Sequence, residues 1–136
     1  MIRVATISDL DDLIEIAREC YGRDTFNTSA SRLWANRAIG NPDGIFIRSD
    51  DGFAVAGAQS FPHEPNILRA RLIYIASRCK NPWTFDGYRM FLHLVIWARE
   101  IGASSFHFGS ETGVDFSPFA KRLKACQDTA SYSLGL

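Results

Sequence analysis

The run FDGYRMFLHLVIWAREIGASSFHF, residues 85–108, decides how the rest of the chain is read. Phe91, Leu94, Val95, Ala98 and Ile101 recur at the spacing of one helix face, so a long helix is expected from Phe85 or Asp86 to Ile101. Gly102 is its natural stop, because glycine closes a helix in a left-handed conformation without a Cβ clash. Ser104–Phe108 then reads as a short strand, with Phe106 and Phe108 on one side and His107 on the other.

Upstream, Ala70–Ser77 is an apolar strand built on Ile73, Tyr74 and Ile75, separated from the helix by the polar turn Arg78-Cys79-Lys80-Asn81-Pro82-Trp83-Thr84. Pro62 and Pro65 punctuate a loop before that strand. Ile45–Arg48 and Phe53–Phe61 form an antiparallel pair joined by Ser49-Asp50-Asp51-Gly52, whose Asp-Gly step is a hairpin signal. Before them Ser29–Ile39 is a helix with one partly apolar side (Leu33, Trp34, Arg37, Ala38). The chain opens with a strand over Ile2–Ile7. Ser8 and Asp11 form a capping-box-like start for a helix whose Leu10, Leu13, Ile14, Ala17, Cys20 and Tyr21 share a face. After residue 108, a loop leads into a helix over Pro118–Cys126 with Ser117 as its cap, and Ser131–Leu136 can add a last strand.

The 136 residues, 46% of them hydrophobic, suit one domain spanning residues 1–136. Fifteen basic and fifteen acidic side chains balance, so no global field draws the protein to nucleic acid or an anionic membrane. Cys20, Cys79 and Cys126 are too scattered for a metal site or a disulfide framework and read as small buried residues of a reducing compartment. The acidic opening segment lacks the apolar core of a signal peptide, and the expected location is the cytoplasm. His63, His93 and His107 have no metal-ligand or Cys-His partner at local spacing.

The order strand, helix, helix, hairpin, strand, long helix, strand, helix, short strand resembles that of the GNAT acetyltransferase superfamily over nearly the whole chain. Ile2–Thr6 with Asp9, Trp97–Ala103 and Phe119–Leu123 are similar to that family's first strand, central-helix end and last-helix start. The resemblance implies an α/β fold, a mixed central sheet flanked by about four helices, and a coenzyme A turn of the pattern Gln/Arg-x-x-Gly-x-Gly/Ala before the central helix. One register puts Pro82, Phe85 and Gly87 at its key positions; the other uses Arg78, Asn81 and Trp83. In either, glycine and helix N–H groups would meet a pyrophosphate, aided by Arg78, Lys80 and Arg89.

The implied activity is N-acetyl transfer from acetyl-CoA to a primary amine; the alternative is a catalytically inactive GNAT-like binding or assembly module. Ile75, Ala76, Ser77, Arg78, Lys80, Gly87, Tyr88 and Arg89 are the expected acetyl-CoA contacts. The family's acidic tyrosine on the last helix is replaced by Lys124, which moves attention to Glu111 as base and Tyr74 as acid, with Tyr88 and Tyr132 as further phenols. A homodimer through the edge strand is a further expectation.

Overall fold

A computed structural model describes residues 1–22, 24–78, 85–109, 117–123 and 134–135. Five strands form one mixed sheet in sequence order: β1 (Arg3–Val4), β2 (Gly44–Arg48), β3 (Gly52–Phe61), β4 (Glu64–Ser77) and β5 (Ser105–His107). The first four run antiparallel to their neighbours, and β5 lies parallel to β4. Helices α1 (Leu10–Tyr21) and α2 (Thr28–Ala38) precede β2, α3 (Phe85–Glu100) joins β4 to β5, and α4 (Ser117–Arg122) follows β5.

The sheet has a core on each face. Leu13, Ile14, Ile16 and Ala17 of α1 pack with Phe46, Phe53, Val55 and Ala76 on one side. Met90, Phe91 and Leu94 of α3 pack with Ile47, Ala54, Ala56, Leu72 and Ile75 on the other. Burying each of the larger side chains contributes about 2 kcal/mol relative to exposure. Phe91 is enclosed edge-on by Phe106 and Phe108, with ring centroids 5.5 and 5.0 Å away. Gly102 has φ 81°, the left-handed stop expected after α3. At Gly52 a Cβ would stand 2.6 Å from the Ala76 carbonyl oxygen, so only glycine lets β3 approach β4 there.

Several expectations are corrected. The opening strand is only Arg3–Val4, and a 3-10 turn at Ile7–Asp9 leads into α1. Thr6 and Asp9, not Ser8 and Asp11, close the capping contact: the Asp9 carboxylate accepts from the Thr6 N–H at 2.8 Å, and the Asp9 N–H donates to the Thr6 carbonyl at 2.9 Å. The interval between Pro62 and Pro65 is not a loop, since β4 begins at Glu64 after a tight Pro62-His63 turn. Pairing with the long β3 carries the strand through Pro65 at a protruding end where, among the described residues, no third strand needs its missing N–H. In α2 the buried residue is Ala35, whereas Leu33 and Trp34 are exposed, and Ile101 also faces solvent just past α3. Cys20 is exposed as well. Cys79, Cys126 and the proposed tail strand fall outside the described residues, apart from Leu134 and Gly135.

Candidate active site

The sheet opens where β4 outruns β5. Arg69, Ala70 and Arg71 pair with Ser105, Phe106 and His107, after which β4 continues from Leu72 to Ser77 with only β3 beside it among the described strands. A bulge marks the same place: Val55 pairs with Tyr74 but Ala56 with Leu72, so Ile73 is an extra residue. The bulge turns both Ile73 and Tyr74 toward α1 and α2, while Leu72 and Ile75 face α3.

Strand alternation then sets what the open edge offers. Arg78 donates its N–H to the Asp51 carbonyl at 2.7 Å, so alternate residues Ile75 and Ser77 direct their backbone groups away from β3. Side chains from the end of α1 meet those carbonyls. The Tyr21 hydroxyl donates to the Ile75 oxygen at 3.2 Å, and the Cys20 thiol to the Ser77 oxygen at 3.0 Å. Burial pushes the Tyr21 phenol up to about 12, with Cys20 and Tyr74 adding to the effect. Although the residue is exposed overall, partial burial of its sulfur also raises the Cys20 thiol, which suits it as a donor. Sequence spacing showed Cys20 and Tyr21 only as apolar helix positions; their place at the end of α1, before Gly22 at φ 94°, is the one local signal.

Tyr74 lies beside this edge, its ring edge-on to Trp34 at 5.1 Å and to Tyr21 at 6.1 Å. All three rings are about two-fifths exposed, forming an aromatic wall on the α1 and α2 side (Tyr21 39%, Trp34 39%, Tyr74 40%). Ile75 and Ala76 are buried on opposite faces, and Ser77 is half-buried. Gly87 is buried in the first turn of α3, Arg89 is exposed, and Tyr88 is half-buried beneath the Arg122 guanidinium at 4.9 Å. Lys80, Glu111, Asn81, Pro82, Trp83, Lys124 and Tyr132 lie outside the described residues.

Arg78, expected as an anion-binding cation, is engaged by two carboxylates. Its guanidinium donates to Asp12 at 3.0 Å and to Glu19 at 3.2 Å, both on α1. Asp12 also takes Arg48, which reaches Asp9 at 3.2 Å; Asp9 in turn binds Arg3. The hydrogen bond from Arg3 holds Asp9 well below the usual carboxylate range, and that from Arg48 lowers Asp12. The network ties the end of β4 to α1 and β2 through partners far apart in sequence.

The same architecture recurs in solved proteins. A transcriptional regulator from Bacillus halodurans superposes with a TM-score of 0.78 at 13% identity, over 100% of this chain and 99% of its own. The ribosomal-protein-alanine N-acetyltransferase of Brucella melitensis gives 0.73 at 13% identity over 100% and 99%. A GNAT family acetyltransferase from Staphylococcus aureus gives 0.71 at 11% identity over 100% and 98%. The fold is that of the GNAT acetyltransferases. No family model and no curated protein sequence matches the chain, so the likeness is carried by architecture. Within the GNAT fold, the opening of β4 from β5 and the start of α3 lie at the carboxyl end of a parallel strand pair, where open α/β sheets bind ligands. No helix among the described residues is long and apolar enough to cross a membrane.

Proposed function

We propose that the chain is an acetyl-CoA-dependent N-acetyltransferase acting on a primary amine. The observation that carries this reading is the departure of β5 from β4 after Arg71, which leaves the Ile75 edge without a strand neighbour among the described residues. An extended pantetheine arm can pair with such an edge as a strand would, and α3 begins at Phe85, where N–H groups can meet a pyrophosphate. Gly87 supports this placement, since the third residue of α3 is buried and carries no side chain.

In the reaction, the amine nitrogen attacks the thioester carbonyl carbon, and strand N–H groups at the open edge stabilise the oxyanion. Collapse breaks the C–S bond, the amine loses a proton, and coenzyme A leaves as a thiolate that takes one up. Tyr74 is the proposed proton donor to that thiolate and Glu111 a proposed base, with Ile75, Ala76, Ser77, Arg78, Lys80, Gly87, Tyr88 and Arg89 as proposed contacts of acetyl-CoA. A pyrophosphate that contacts Arg78 would have to displace Asp12 and Glu19.

Titration calorimetry with acetyl-CoA tests the reading. A saturable heat is expected, weakened on the order of tenfold in Arg89→Ala by loss of a charged contact. The absence of any saturable heat at millimolar ligand contradicts it. Binding without transfer to any amine would support a non-catalytic module.

A further inference from the structure

Resting on that reading, we propose that His107, in place of Glu111, is the group that takes the proton from the acceptor amine. It is the last residue of β5 and the register partner of Arg71, so it stands where the two strands part. Phe106 packs against the α3 face, so alternation turns His107 and Ser105 to the opposite face, the one on which Tyr74 and Trp34 lie. Its ring is half-buried, and Nε2 lies 2.9 Å from Ser105 Oγ. The Ser105 hydroxyl fixes the direction of the ring from its own strand, and in the tautomer whose Nε2–H donates to that hydroxyl the lone pair is on Nδ1.

The other described histidines are elsewhere. His63 stacks on Phe61 at the tip of the β3–β4 hairpin, and His93 is exposed on α3. The charged groups presented to this face from the neighbouring strand are Arg71, which is exposed, and Arg69, whose guanidinium is engaged by Glu64 at 2.6 Å. A guanidinium offers hydrogen-bond donors and no acceptor, so neither serves as the base. Tyr74, whose phenol carries an O–H, keeps the part of proton donor proposed above. The step balances: the C–N bond forms as the C–S bond breaks, the amine proton passes to Nδ1, and the leaving sulfur takes a proton from a second group.

The test measures thiol release from acetyl-CoA with a short lysine-bearing peptide as amine probe, beside calorimetry of acetyl-CoA binding. His107→Ala should bind acetyl-CoA as the wild type does, lose on the order of 100-fold in turnover, and recover at least about tenfold when free imidazole is added. Ser105→Ala should lose about threefold, the cost of an unaligned ring. Turnover within twofold of wild type in His107→Ala, or a loss that imidazole does not restore, overturns the assignment. Wild-type protein that binds acetyl-CoA yet releases no thiol with the probe also overturns it. Wild-type protein that binds no acetyl-CoA removes the acetyltransferase reading itself, which separates the two failures.

Discussion

β3 and the second half of β4 are adjacent strands with opposite surroundings. From Phe53 to Gly57 β3 is paired on both edges, and Phe53 to Ala56 are buried between the two cores. From Leu72 to Ser77 β4 has β3 on one side, while on the other the described contacts are a tyrosine and a cysteine donating to its carbonyls. Under the proposed function, the difference separates stability from ligand binding within one sheet. Backbone groups satisfied by strands hold the fold together, whereas groups met by single side chains can be exchanged for those of a ligand at small cost.

The largest effect is expected where the paired half is anchored. Phe91→Ala empties a site enclosed by Phe106 and Phe108 and should cost about 4 kcal/mol in denaturant unfolding. A loss below about 1 kcal/mol would mean that β5 is not held by α3 as described.

Next comes the charged network. Asp9→Asn leaves the buried Arg48 short of one carboxylate and should cost about 3 kcal/mol at neutral pH. Because Asp9 and Asp12 are held below their ordinary value of 3.8, their contribution is complete above that pH and drains away as the pH falls through the lower folded-state values. Wild-type stability should therefore fall on acidification below about pH 4, and the Asn variant should lose a shallower increment. Equal acid slopes in the two proteins would break this part of the comparison.

The smallest effect belongs to the open edge. Tyr21→Phe removes the hydroxyl from the Ile75 carbonyl and should cost about 1 kcal/mol. The raised Tyr21 value adds a signature in alkali: its contribution is intact below pH 10 and is lost as the pH rises toward about 12. The Phe variant should lack that alkaline increment, and an unchanged alkaline slope would place the hydroxyl away from the carbonyl.

The outline of the fold was readable because α1, α3 and the β2–β3 hairpin each carry a local period that their burial repeats. The start of β4 was not, since Pro65 argues locally for a loop and only its position on the protruding end of a long hairpin makes it tolerable. The site divides the same way. His107 could be assigned to the face opposite Phe106 by alternation alone, but its place at the parting of two strands depends on the register between β4 and β5. Arg78 read as an anion-binding cation because nothing nearby in sequence neutralises it. Its partners, Asp12 and Glu19, are 66 and 59 residues away, brought to it by the packing of α1 on β4.

Amide hydrogen exchange resolved to single residues of β4, with and without acetyl-CoA, tests the central claim most directly. The account expects the Ile75 N–H to slow strongly when the ligand is added, while the already paired Ala54 and Ala56 of β3 change little. Saturable binding of acetyl-CoA with no added protection at Ile75 would contradict it.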